Sequence, residues 1–343
     1  MTPEDTRSPA THPRAASFSP QSPWHSGERA LQERAGVRAA MERSGRAVIR
    51  GYMPDQHREL FEKLPLLIVG GVDAQHRSWA SLVVGQPGFV RTLDARTLTV
   101  RARPFAGDPL AGNLVPGAPI GLLGIQLETR RRNRVNGSVL AADAKGFTVG
   151  VRQSFGNCPQ YIWARAPEFV GAPEERLGSG EHAEGKLLSP VSVSQIAAAD
   201  TFFIATAALG PEASHGVDVS HRGGKPGFVR VARAGDRHVL TWPDFSGNRY
   251  FNTLGNLLLN PRAGLLFIDF RAGTLLSLTG TAETLWDGPE LAAFAGAERL
   301  VRFTADRGVR IERAVPLRWS AGQPAPQIAG TGSWQEVEAA GPR

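Results

Sequence analysis

Four consecutive residues, Ser246-Gly247-Asn248-Arg249, carry a hydroxyl, an unobstructed backbone amide, a side-chain amide and a guanidinium. A phosphate ester holds up to two negative charges and needs a cation and several donors at once, so this cluster is a candidate phosphate site. A helix starting there would add its unpaired N–H groups and its dipole. The same residues also make an ordinary polar turn that caps a helix and leaves Arg249 solvated. Arg130, Arg132 and Arg134 recur at period two, so on a strand all three face one way. They could meet an anion held by an opposing element, or protect an exposed sheet edge against aggregation.

Other constellations carry less chemistry. Gly223-Gly224-Lys225 lacks the full phosphate-loop pattern and reads as a hairpin turn between two strands. His215, Asp218 and His221 invite a metal, but an offset of three puts Asp218 on the opposite strand face from both histidines, and no metal is expected. Cys158 has no evident partner base and reads as structural. No Gly-x-Ser-x-Gly elbow accompanies the serines, histidines and aspartates.

The elements that must position these residues are announced by a duplication. Pro87-Gly88-Phe89-Val90 recurs as Pro226-Gly227-Phe228-Val229, an offset of 139. Gly112-Asn113-Leu114 and Gly121-Leu122-Leu123 recur as Gly255-Asn256-Leu257 and Gly264-Leu265-Leu266, an offset of 143, which also relates Asn136-Gly137 to Thr279-Gly280. So long a period marks a duplicated domain rather than a solenoid. Short β-branched and aromatic runs punctuated by Gly and Pro read as six strands and one helix per copy. The first copy's strands lie at Leu66–Val69, Ser81–Val84, Phe89–Leu93, Thr97–Val100, Ile120–Leu127 and Arg132–Val139, ending near Gly146–Val151. The second copy's lie at Phe202–Ala205, Val217–Ser220, Phe228–Val231, His238–Trp242, Gly264–Phe270 and Leu275–Glu283. A helix is expected between the fourth and fifth strands of each copy, over Asn248–Leu259 in the second. Further helices are expected over Ser26–Met41, capped by Ser26 and packed outside the first copy, near His57–Leu64, and over Ser194–Ala199.

The expected fold class is mainly β: a tandem duplicated split β-barrel with peripheral helices, forming a pseudo-dimer with its site in the cleft between the halves. The division reads as a disordered tail (1–25), a helical segment (26–64), a first repeat (65–152), a connector (153–192), a second repeat (193–320) and a C-terminal tail (321–343). One cysteine excludes an intramolecular disulfide framework and fits a reducing cytoplasm. No run reaches the length of a membrane span and no secretory apolar core opens the chain, so a cytoplasmic protein with no membrane partner is expected. The net charge of +7 is arginine scattered without interleaved aromatics, which argues against nucleic acid and for an anionic small molecule.

Asp218–Val229, the stretch His238–Asn260 and Arg262–Phe267 together resemble the pyridoxamine 5′-phosphate oxidase-like FMN-binding split β-barrels. Pro23–Glu28, Arg130–Gly137 and Ser154–Ile162 resemble a two-barrel branch of that family, so the likeness spans about residues 23–320. The resemblance implies FMN between the barrels. Ser246, Asn248, Arg249 and Asn252 match its phosphate loop, Thr241 and Trp242 the strand end under the ring, and Ser220, Arg222 and Gly227, Phe228 and Val229 the segment near the reactive edge. Arg130, Arg132 and Arg134 would then approach the flavin pyrimidine or a substrate anion. The best-known enzymes of the family carry Arg-Lys where this chain has Asn248-Arg249. The first copy has Phe105–Leu110 at this place, with Asp108 among them, so one FMN per fused pair is expected. The function implied is an FMN-dependent oxidoreductase for a small organic substrate, exchanging electrons with NAD(P)H or oxygen, with association into a homodimer left open. The alternative is a non-catalytic flavin- or haem-binding protein, with His215 and His221 as axial candidates.

Overall fold

The computed structural model describes residues 22–173, 180–210, 212 and 214–339. Of the expected disordered tail, residues 1–21 lie outside the described residues, while Trp24 and His25 are buried. Three helices come first: α1 (Ser26–Arg34), α2 (Arg38–Val48) and α3 (Asp55–Lys63). The expected single helix to Met41 is broken at Gly36, whose φ of +68° suits glycine. Its cap is His25, not Ser26: His25 Nδ1 accepts from Gly27 N at 3.2 Å, and Glu28 Oε2 accepts from His25 N at 2.9 Å. Nor does α1 lie on the first repeat. A Cβ on its Gly27 would stand 2.2 Å from the carbonyl oxygen of Gly255, in the helix of the second repeat.

Each repeat supplies seven strands of an antiparallel sheet, and in the second a strand of the connector pairs with the last of them to make eight. The first comprises β1 (Leu66–Val72), β2 (Ser78–Val84), β3 (Val90–Asp94), β4 (Thr97–Val100), β5 (Pro119–Gln126), β6 (Arg131–Asp143) and β7 (Gly146–Gly156), ordered β2-β1-β5-β6-β7-β4-β3. The connector contributes β8 (Pro167–Phe169), β9 (Glu181–Glu184) and α4 (Pro190–Ala198), which is capped by Ser189 rather than Ser194. The second repeat has β10 (Thr201–Ala208), β11 (Gly216–Gly223), β12 (Arg230–Ala234), β13 (Arg237–Phe245), α5 (Asn252–Leu259), β14 (Arg262–Ile268), β15 (Leu275–Leu285), α6 (Pro289–Ala293) and β16 (Ala297–Ile311). Its order, β11-β10-β14-β15-β16-β13-β12, is the same permutation. The chain closes with β17 (Leu317–Trp319), paired to β8, and α7 (Trp334–Ala339). The expected C-terminal tail thus carries a helix whose buried Trp334 donates to Phe228 O at 2.8 Å.

Three differences from the expected elements have local causes. In the first repeat, turns replace the helix between the fourth and fifth strands: Gly107 sits at φ +82° and Asp108 accepts from the backbone of Leu110. In the second, Arg249 and Phe251 adopt left-handed φ, so α5 starts at Asn252 and not at Asn248. Gly223-Gly224-Lys225 is not a hairpin, because β11 and β12 lie on opposite edges of their sheet. The repeated Pro-Gly-Phe-Val instead builds an edge-to-edge crossing. Gly88 and Gly227 take φ of +92° and +85°, and Phe89 and Phe228 fold back onto Gly85 and Gly224, where a Cβ would stand 2.3 and 2.6 Å from the ring.

Each repeat has its own apolar interior, one around Leu67, Val83 and Val135, the other around Phe202, Trp242 and Phe267. A third core lies between the sheets, where Ile68, Leu82 and Leu123 meet Phe203, Val219 and Leu266. The molecule is therefore a pseudo-dimer of split barrels in one chain. The two sheets touch through the repeated glycine. A Cβ on Gly121 would stand 2.7 Å from Val217 O, and one on Gly264 would stand 2.4 Å from Ser78 O, the pseudo-symmetric contact. The Asn-Gly and Thr-Gly pairs of the sequence repeat are matching β-bulges at Asn136/Gly137 and Thr279/Gly280. Among the described residues no helix is long and apolar enough to cross a membrane.

The close approach predicts that Gly121→Val lowers stability by at least ~2 kcal/mol through overpacking. Gly112→Ala, whose Cβ meets nothing within 4 Å, should stay within about 0.5 kcal/mol of the parent. Urea unfolding midpoints test this; equal midpoints for the two variants would contradict it.

Candidate functional site

The pairing registers make Gly121 the counterpart of Gly264, which relates the two faces of the inter-repeat contact residue by residue. On one side Arg132 and Arg134 of β6 face β11 with Ser220, His221 and Arg222. On the other side the counterparts are Leu275 and Ser277 of β15, facing Ser81, Leu82 and Val83 of β2. The first side is a charged, open cleft. The second is closed: Leu275 and Leu82 are core residues, and Phe105, Phe169, Phe270 and Trp319 pack over them. Asp108 of the first repeat is buried, accepts from Ser81 Oγ at 2.6 Å, and is pushed up to about 6 by burial.

The floor of the open cleft is a buried polar network that crosses the repeats. Arg134 Nη1 lies 2.5 Å from Asp218 Oδ1 and donates to Asn252 Oδ1 at 2.9 Å; its Nη2 donates to Ser220 Oγ at 2.6 Å. Ser220 Oγ also accepts from Thr253 Oγ1 at 3.0 Å and donates to Asp218 Oδ2 at 3.1 Å. Asn252 Nδ2 donates to Glu28 Oε1 at 2.5 Å, which ties α1 into the same network. Glu28 is buried, and loss of hydration pushes its carboxyl up to about 8 against the opposing hydrogen bonds from Asn252 and the His25 backbone. Beyond it a small second cavity is lined by His25, Asn136, His215 and Asn256. Burial, with His215 close by, holds His25 down to about 4.

The rim comes from the β13–α5 loop and the connector. Ser246, Gly247, Asn248 and Arg249 line the cleft, as do Asn157, Cys158, Gln160 and Tyr161. Asn248 Oδ1 accepts from Tyr250 N at 3.1 Å, which leaves its NH2 group to donate. Arg249 is half exposed and its nearest carboxylate oxygen is Glu298 Oε1 at 3.5 Å. The two acids near the loop are already engaged, because Arg299 holds Asp244 at 2.9 Å and Glu298 at 2.6 Å. The Tyr161 and Phe245 rings stack at 5.0 Å and form an apolar wall.

Eight of the expected site residues meet in this cleft: Arg132, Arg134, Ser220, Arg222, Ser246, Asn248, Arg249 and Asn252. Arg134, Ser220 and Asn252 are absorbed into its own floor, so the open donors are Arg132, Arg222, Ser246, Asn248 and Arg249. Arg130 does not share a strand face with Arg132 and Arg134. It caps a short 3-10 turn in left-handed conformation, before β6 begins, and donates to the carbonyls of Ile162, Gln323 and Pro324. Nor is β6 an exposed edge, since β5 and β7 flank it. Gly227, Phe228, Val229, Thr241 and Trp242 lie outside the cleft lining; Phe228, Val229 and Trp242 are packed in the second repeat's interior. Of the histidines, His221 lines the cleft and His215 the second cavity. Sequence reasoning missed Arg299, because β16 had not been recognised as a strand, and Tyr161 and Phe245, whose stacking has no sequence signature.

No family model matches the chain, and no curated protein matches it. Solved structures that it resembles include HupZ of Group A Streptococcus, at 14% identity and a TM-score of 0.29, over 38% of this chain and 98% of that one. The heme storage protein HutZ of Vibrio cholerae is 14% identical with a TM-score of 0.24, over 37% and 95%. A FAD-binding protein of Mesorhizobium loti is 13% identical with a TM-score of 0.23, over 38% and 96%.

Glu28 gives the site a pH signature. Its folded pKa lies above the ordinary value of 4.5, so its contribution to stability is full below about 4.5 and is lost as pH rises through about 8. Glu28→Gln should remove that slope between pH 4.5 and 8, whatever it does to stability at the acidic end. Melting temperatures of both proteins across this range test it; parallel profiles would contradict it.

Proposed function

We propose that this chain is an FMN-dependent oxidoreductase that holds one flavin in the charged inter-repeat cleft. The observation that carries the reading is the asymmetry of the pseudo-dimer. Donors and guanidiniums gather on one of two equivalent faces, while the other is filled with leucine, valine and aromatic side chains. The residues fit the group. The Asn248 amide, the Ser246 hydroxyl and the Arg249 guanidinium are open to a phosphate, a donor set of the kind a phosphate ester needs. Arg299 bridges Asp244 and Glu298 and, with Arg249 and Arg222 near them, offsets charge that would otherwise repel an anion at the same loop.

When bound, FMN would supply the hydride or electron transfer, exchanging with a nicotinamide donor or oxygen. The chain's own residues do the rest. Ser246, Asn248 and Arg249 hold the phosphate, and Tyr161 with Phe245 excludes water from one wall and receives the apolar body of a small substrate. Arg134, locked by Asp218, holds Ser220 and Asn252 in place beneath the cleft.

Haem is the second reading, and it rests on His221, whose Nε2 is buried and unpartnered at the cleft wall. Burial and the neighbouring arginines hold its pKa well below 6.5, so the ring is neutral and able to ligate.

Arg249→Ala should weaken FMN about tenfold to a hundredfold, the loss of one charged hydrogen-bonding partner. His221→Ala should leave FMN affinity near that of the parent. Equilibrium titration of the flavin's fluorescence reads both. Unchanged affinity in Arg249→Ala would rule out the phosphate site, and loss of haem binding in His221→Ala would favour the second reading.

A further inference from the structure

The cleft carries more positive charge than its own carboxylates neutralise. Arg134 is matched by Asp218, and Arg299 bridges Asp244 and Glu298, whose second negative charge is shared by Arg222 and Arg249. Arg132 has no carboxylate partner among the described residues, and its Nε donates to the carbonyl of Cys158 at 2.7 Å. Burial, with Arg134 and Arg222 beside it, holds its pKa down to about 9, so it stays charged at neutral pH but poorly hydrated. Arg222 reaches Asp244 only at 3.8 Å, and its Nε is buried with no acceptor. Such an arrangement is costly in an empty site and is relieved by an anion.

What the anion belongs to follows from the place of these groups. The phosphate donors lie on the β13–α5 loop of the second repeat, whereas Arg132 projects from β6 of the first and is held against the connector at Cys158. The oxidised flavin ring is neutral and asks for hydrogen bonds rather than a full charge. The same lining includes the stacked Tyr161 and Phe245, an apolar surface for a planar body. We infer that Arg132 and Arg222 form a subsite for the carboxylate of the substrate, a small organic acid with a planar apolar body. That role rests on the flavin reading above, whereas the anion subsite itself does not.

Benzoate is the probe and benzamide its neutral control. Benzoate is titrated by calorimetry into the apoprotein, and into the FMN-loaded protein by the shift of the visible flavin band. Benzoate should bind in both forms, with benzamide at least about tenfold weaker, because a charge-assisted pair is lost. Arg132→Gln should weaken benzoate about tenfold or more, with Arg132→Lys intermediate, while FMN affinity changes less than about threefold. Where Arg132→Gln fails to fold, Arg222→Gln serves, with the same direction expected. Equal binding of benzoate and benzamide, no benzoate binding, or unchanged benzoate affinity in the glutamine variants would overturn the subsite. A shift in flavin reduction potential in Arg132→Gln with benzoate binding intact would assign the charge to the reduced flavin and overturn it too. If the protein takes up no FMN but the apoprotein binds benzoate through Arg132, the flavin reading falls and the anion subsite stands.

Discussion

The two sheets share an apolar core and, at one pair of equivalent points, their backbones come nearly into contact: that contact falls on Gly121 and Gly264. At each, a side chain would occupy the space of the opposing strand's carbonyl. Because the contact is made twice, by equivalent residues, it sets the pseudo-two-fold axis and places β6 of one repeat across from β11 of the other. Everything at the site is downstream of that placement. Arg134 reaches Asp218 and Ser220 only because the sheets are this close. Breaking such a buried pair by removing one partner costs about 3–5 kcal/mol, so the network also locks the geometry it inherits.

Duplication creates two equivalent faces, and the sequence has treated them differently. On one, Leu275, Ser277 and Leu82 stand where the other has Arg132, Arg134 and His221. The apolar face is covered by the connector and the C-terminal segment, with Arg165 lying 4.3 Å over the Phe270 ring and Trp319 against it. The connector therefore fills one cleft with Phe169 and lines the other with Asn157, Cys158, Gln160 and Tyr161. With one of the two equivalent faces closed, the other remains a cationic cleft, and the strained loop around Arg249 and Phe251, in left-handed conformation at a cost of about 1–2 kcal/mol each, sits at its rim.

Much of the fold was legible because repetition is a long-range signal that composition cannot mimic. The repeated motifs revealed the duplication, and the apolar runs located most strands; that the repeated glycines also mark bulges and the sheet contact came only from the structure. What stayed hidden was set by tertiary context. The fifteen-residue β16 carries arginines at 299, 302, 307 and 310, which break its apolar pattern, and Asp244 and Glu283, the partners of Arg299 and Arg302, are found only in space. Helix α1 was misplaced because its docking depends on glycines 27 and 255 meeting across 228 residues. Within the site, the type of each residue was readable but not its availability. Arg130, Arg134, Ser220 and Asn252 had the right chemistry and are consumed by the protein itself, whereas Arg132 and Arg249 are not.

The proposed retention of a flavin site on one of two equivalent faces fixes a stoichiometry. It is tested most directly by the visible spectrum of the purified protein, followed by FMN titration and a count of chromophore released on denaturation. A two-banded flavin spectrum saturating at one FMN per chain is the predicted result. Two per chain would contradict the asymmetry, and a Soret band or a protein that takes up no FMN would contradict the flavin site.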